Sequence, residues 1–180
     1  MPTCDIAAGR LEACKDSIGG IDTVYMINFG TLTTVLGTAA NADVVISGVA
    51  SPSNMYKFTV KGNNNFETTV VSSRENGTTF FQQTLTLELK GLDIAGHLNL
   101  KNLMYSRPHV IVHTRNNAYF LMGRLNGADV TAGSISTGMA SGDFNGYKLT
   151  MVAEEKVPAN FINAIDEAAL KTALGNITVV

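Results

Sequence analysis

The sequence predicts an α+β protein, mainly antiparallel β: a β-sandwich or half-barrel with one packing helix and a second helix near the C-terminus. Three observations predict this. The turn-forming groups Asn63-Asn64-Asn65, Asn76-Gly77, Asn116-Asn117 and Asn145-Gly146 each separate two apolar or alternating runs. Asn and Gly tolerate the positive φ angles of tight hairpins, so each marks a chain reversal. The flanking runs are rich in Thr, Val, Tyr and Phe, residues that fit a pleated, half-buried surface. Two other segments abandon the period of two for helical spacing. A chain of 180 residues can bury a full core as one domain, and no linker, repeat or charge run divides 1–180.

Taken in order, strands are expected near 21–29, 55–61, 66–74, 78–90, 108–115, 118–125, 129–136 and 146–155. Tyr56, Phe58 and Val60 share one strand face, as do Leu85, Leu87 and Leu89. Residues 30–54 combine Gly30, Gly37 and Gly48 with the apolar run Val44-Val45-Ile46 and end at Pro52, which reads as a strand and a long loop, projecting over 38–54. Residues 92–105 place Leu92, Ala95, Leu98 and Asn102 at helical spacing, widened by Ile94 and Met104, before Pro108 forces an extended exit. The C-terminal helix is expected over 159–174, between Pro158 and Gly175, with Glu167 four residues before Lys171. A helix set among consecutive strands excludes a plain immunoglobulin-like sandwich. It also excludes a doubly wound fold, in which strand and helix alternate throughout.

Composition narrows the function classes. The chain is 45% hydrophobic and only 16% charged, with a net charge of −2. A nucleic-acid binder is expected to carry a basic excess or stripe, and none is visible. No apolar run approaches the roughly 18 residues of a membrane span. Met-Pro-Thr-Cys-Asp lacks the basic-then-apolar pattern of a secretory signal, so synthesis in a cytosol is expected. In that reducing compartment Cys4 and Cys14 read as packed or inert thiols.

The residues that could carry chemistry do not form a catalytic pattern. His109 and His113 share one strand face and read as polar groups on its wet side, one of them partly buried; a metal would need a third ligand, and His97 sits on the helix. Asp143 in Gly142-Asp143-Phe144-Asn145-Gly146 reads as a turn residue, because a calcium loop spreads its ligands over about twelve positions. Glu154 and Glu155 are adjacent in a strand and so point to opposite faces. Gly133 to Gly142 has neither the Lys nor the strand-to-helix context of a phosphate loop. No enzyme activity, cofactor or metal is expected.

Two stretches carry a resemblance. One is Gly9-Arg10-Leu11 with Cys14-Lys15-Asp16-Ser17-Ile18-Gly19-Gly20-Ile21, running into Val24-Tyr25. The other is Tyr119-Phe120-Leu121-Met122-Gly123-Arg124, Asn126-Gly127, Thr137-Gly138, Gly142-Asp143, Gly146-Tyr147, Glu154-Glu155 and Pro158-Ala159. Both resemble small virion structural proteins of tailed bacteriophages, and the architecture is similar to that of tail tube proteins. That resemblance implies a stacked homo-oligomeric ring, usually hexameric, whose inner β-barrel lines a conduit for genome delivery. It implies a virion location in the tail, manufacture in the host bacterial cytoplasm, and contacts with other tail or connector proteins. DNA would pass without specific binding, and no membrane would be involved. A long loop reaching the neighbouring ring would make Val44, Val45, Ile46, Val49 and Pro52 subunit-interface residues. Residues 1–20 have no counterpart in tail tube proteins and read as an arm that packs on a neighbour. Glu67, Glu75, Glu88, Asp129 and Asp143 are the carboxylates available to a lumen. The alternatives are a single-ring connector or tail-completion protein and, from another class, a carbohydrate-binding β-sandwich using Tyr25, Tyr56, Tyr105, Tyr119 or Tyr147. Trp, the other common sugar platform, is absent.

Overall fold

Strand β1 (Ile21–Ile27) has five consecutive buried residues at its C-terminal end, because it is covered on both faces. Val24 and Met26 enter one hydrophobic core, while Tyr25 and Ile27 enter a second. Its neighbour β7 (His109–Thr114) repeats the division, with Val110 and Val112 on one side and Ile111 on the other. Near-continuous apolar runs of this kind belong to strands sandwiched between layers. The computed structural model describes residues 9–10, 15–37, 43–50 and 54–180.

Both strands lie within an eight-stranded mixed sheet. Its order is β12 (Thr178–Val179), β4 (Asn54–Thr59), β1, β7, β8 (Tyr119–Met122), β11 (Asn160–Ile162), β3 (Val44–Ala50) and β2 (Leu32–Leu36). The pairs β11–β3 and β12–β4 are parallel and the others antiparallel. A second sheet is wholly antiparallel, in the order β5 (Asn65–Ser73), β6 (Thr78–Lys90), β10 (Gly146–Glu155) and β9 (Asp129–Ser136). The first core lies between the sheets, where Leu85, Leu87, Leu149 and Met151 meet β1 and β7, and Leu100 and Leu103 of α1 (Ile94–Tyr105) join them. The second core lies on the opposite face of the large sheet, under Leu170 and Leu174 at α2 (Glu167–Ala173). The fold is α+β, mostly antiparallel, as the sequence predicts.

All eight expected strands are present, and four differences have clear causes. Residues 44–50, expected within a projecting loop, form β3, because β2 and β11 pair with its two edges; 38–42 and 51–53 lie outside the described residues. The helix expected over 159–174 shortens to α2, and Asn160–Ile162 is strand instead. Asn160 is buried, accepts from Arg124 Nε at 2.9 Å and donates to the Asp43 carbonyl at 3.0 Å, which fixes it as extended chain. The helix then begins at its own cap, Asp166, whose carboxylate accepts from the Ala169 N–H at 2.6 Å. Asn63-Asn64-Asn65 is no hairpin: it carries the chain from β4 in one sheet to β5 in the other, with buried Asn64 accepting from the Glu88 N–H at 2.8 Å. Finally, α1 occupies its expected span but buries Leu100 and Leu103, leaving the expected packing stripe of Leu92, Ile94 and Leu98 exposed.

Candidate assembly surface

The four-stranded sheet has one face in the core and one outside. Register assigns the outer face: Glu67 stands beside Thr84, Val152 and Asp129 in one row, and Asn65 beside Thr86, Thr150 and Ala132 in another. A third row holds Glu88, Lys148 and Ser134, with Lys148 Nζ 2.8 Å from Glu88 Oε1. Glu154 and Lys90 complete the ionic set of the strands, four carboxylates against two lysines, and Arg107, from just before β7, brings its Nε within 3.2 Å of Asp129. The face is thus hydroxyl-rich and weakly acidic. Of the five carboxylates proposed for a lumen, Glu67, Glu88 and Asp129 lie here. Glu75 sits in the β5–β6 turn and Asp143 in the β9–β10 loop.

Both edges of this sheet, β5 and β9, lack a further strand among the described residues. The β5–β6 hairpin also outruns its support: β10 ends at Glu155 opposite Phe81, so Val71–Ser73 and Thr78–Phe80 pair only with each other. Gly77, at φ 62°, turns this hairpin as its Asn-Gly sequence predicts. Val71 of the unsupported part is exposed, as is Val70 just before it, at 58%.

A second apolar surface adjoins the β9 edge. Ile94, 93% exposed, and Tyr105, 83% exposed, stand on α1, together with Leu98. Leu92, Asp93, Ile94 and His97 form a shallow groove of about 370 Å³ against Ile135 of β9 and Tyr147 of β10. The helix starts there because Asp93 caps it, accepting from the Gly96 N–H at 2.7 Å.

The polar residues weighed for chemistry are held apart, most of them in hydrogen bonds to the backbone. His109 is buried, not on a wet face: its Nδ1 donates to the Gly123 carbonyl at 2.7 Å and its Nε2 accepts from the Gly30 N–H at 3.2 Å. Those partners assign the neutral Nδ1–H tautomer, and burial lowers its pKa. His113, four residues along the strand, stacks on Tyr119 with ring centroids 4.3 Å apart. Glu154 and Glu155 diverge as adjacent strand residues must; Glu154 is exposed, and buried Glu155 accepts from the Leu125 and Asn126 N–H groups at 2.7 and 2.9 Å. Gln83 Oε1 accepts from the Gly123 N–H at 3.0 Å. The 123–128 turn is therefore tied to both sheets, a role that sequence spacing does not reveal. Asp143 is a turn residue, accepting from Met139 and Ala140 N–H groups at 2.9 and 2.8 Å, and these bonds lower its pKa. No three His, Cys, Asp or Glu side chains among the described residues are grouped to hold a metal. Tyr25, Tyr119 and Tyr147 are buried, which removes them as sugar platforms, while Tyr56 and Tyr105 are exposed on different elements.

Of the residues expected at a subunit interface, Val45 is fully buried in the chain's own second core. Val44 is half-buried on β3, opposite Phe161. Ile46 and Val49 also lie on β3, and Pro52, Cys4 and Cys14 are outside the described residues. Exposed apolar side chains stand on α1, β5 and β9, and also at Val35 of β2 and Phe161 of β11, which flank β3. The sequence held one signal of this: β5 and β9 have no continuous apolar run, as exposed strands should not.

These features define a mixed-sheet α+β protein with an open-edged antiparallel sheet. No family model matches the chain, and no curated protein matches it. One chain of a solved structure, "Virion of native gene transfer agent (GTA) particle", is similar at a TM-score of 0.32 and 14% identity, covering 58% of this chain and 88% of that one. A likeness of this degree defines neither a family nor a function for this chain.

Proposed function

We propose that this chain is a structural protein of a tailed-phage virion, a tail tube subunit whose rings stack into a conduit for DNA. The observation that carries the reading is the four-stranded sheet, whose two edges carry no further strand among the described residues and whose outer face is hydroxyl-rich and weakly acidic. Open edges are a hazard in a monomer and are removed by closing the sheet into a barrel. A six-copy ring would supply about 24 strands, which at ~4.8 Å spacing enclose a circumference of about 115 Å before tilt. That bore admits a DNA duplex. A wall with few cations does not grip it, because phosphate binding depends on Lys and Arg. The unsupported end of the β5–β6 hairpin, which outruns the sheet and exposes Val71, is the part suited to meet the next ring. The chain's work would be assembly and passage, with no bond made or broken.

Negative-stain microscopy of the purified chain at rising concentration tests this. Rings or stacked tubes are expected. A monodisperse monomer at millimolar concentration, unchanged by added virion components, would sink the reading.

A further inference from the structure

We infer that neighbouring copies join through β9 of one and β5 of the next, in the register that sets Val130 opposite Val70 and Ile135 opposite Phe66. This rests on the ring reading and names its seam. Strand direction permits it. With four antiparallel strands in the module, β9 and β5 run in opposite senses, so a neighbour related by rotation extends the antiparallel pattern without a break.

Register then selects the pairing. Through β10 and β6, Asp129 lies level with Thr84 and Ser136 with Lys90, while Asn65 lies level with Thr86 and Ser73 with Thr78. The two edges are therefore staggered. Joined with no shift, they would form only about three residue pairs and leave Ile135 without a partner. An odd shift would place core-facing residues opposite outward-facing ones, because side chains alternate along each strand. A shift of about two leaves Ile135 beyond the end of β5, and one of about six opposes Val130 to Ser72 and Ile135 to Thr68. A shift of about four pairs all of β9 and matches apolar with apolar. It covers Ile135 and Val70, 51% and 58% exposed in the single chain. On the outer face it opposes Ser134 to Glu67 and Ala132 to Thr69, without a like-charge contact.

The same shift agrees with closure. About four residues of stagger across four strands is one residue per strand, a tilt of about 35°, within the range of closed barrels. The groove beside Ile135 then lies next to the neighbour's Phe66, so the seam continues into the apolar surface of α1.

Paired cysteines test the register, in a Cys4→Ser, Cys14→Ser background. Val130→Cys with Val70→Cys should give a ladder of covalent oligomers on mild oxidation. Val130→Cys with Ser72→Cys or with Thr68→Cys should give at least about tenfold less. If rings form by microscopy but either control pair cross-links best, the register is overturned while the ring reading stands. If neither rings nor ladders form, both fall. A second variant needs no disulfide geometry: Val70→Lys, exposed in the single chain, should leave the thermal midpoint unchanged and raise the concentration needed for rings at least tenfold. Unchanged assembly overturns the seam.

Discussion

Glu167 has three partners. Its Oε2 accepts from the Tyr25 hydroxyl at 2.9 Å and lies 2.6 Å from Lys57 Nζ, and its Oε1 lies 3.4 Å from Lys171 Nζ. The Lys57 hydrogen bond, with those from Tyr25 and Lys171, holds its carboxyl at about 2, and burial and the adjacent carboxylate push the Tyr25 phenol up. Because the folded pKa is depressed, this contribution is complete above the ordinary carboxylate value. It is lost as pH falls from about 4.5 to about 2. The side chain is 32% exposed, so solvent screening limits the effect. Glu167→Gln should cost about 1 kcal/mol in urea unfolding at pH 7 and flatten the acid limb over that window. His109 runs on the same sign for a different reason. Burial lowers its pKa, so the unfolded chain binds the proton first, and stability is lost as pH drops from about 6.5 through the lower folded value. An NMR titration should place its imidazole below 6.5, and a value above that would refute the assignment. Lys171 was readable as a partner from its spacing to Glu167; Lys57 and Tyr25, over 100 residues away, were not.

Glycines and caps set the limits of the elements. Gly123 and Gly77 have nearly the same backbone angle, φ 66° and 62°, in different surroundings. A Cβ on Gly123 would meet backbone atoms of Gly127 and Ala128 at 2.6–2.9 Å, whereas Gly77 faces open space. Gly77→Ala should therefore cost about 1 kcal/mol, the penalty of the angle alone, and Gly123→Ala more than about 2 kcal/mol. Paired thermal melts would separate the two. Asp93→Ala, which removes the α1 cap, should cost about 1 kcal/mol. Strands marked by turn residues and alternation were legible, as β5 and β6 around Asn76-Gly77 show. The short strands β11 and β12 were not, because three or two residues carry no period and are extended only where a paired edge accepts them. The face of α1 was misread for a related reason: Leu92, Ile94, Leu98, Leu100 and Leu103 surround the helix, and only the position of the two sheets decides which of them is covered.

At the scale of the whole molecule, two faces remain to be covered or wetted. The hydroxyl-rich face should not retain duplex DNA; gel shift at about 150 mM salt should show no complex, and a stable one would contradict a passive channel. The apolar surface on α1, β5 and β9 should be protected from hydrogen exchange on assembly, with β3 unchanged. The low charge of the chain was readable from composition, as was the antiparallel β character from turns and alternation. The sequence alone also excluded two particular arrangements: adjacent Glu154 and Glu155 must diverge, and Asp143 lies in a turn too short for a calcium loop. Only the tertiary structure decided that His109 and Val45 are interior and that Ile94, Ile135 and Val70 are not. Local pattern determines which residues can share a face, but burial is a property of what packs against that face, and that partner is set by strands distant in the chain.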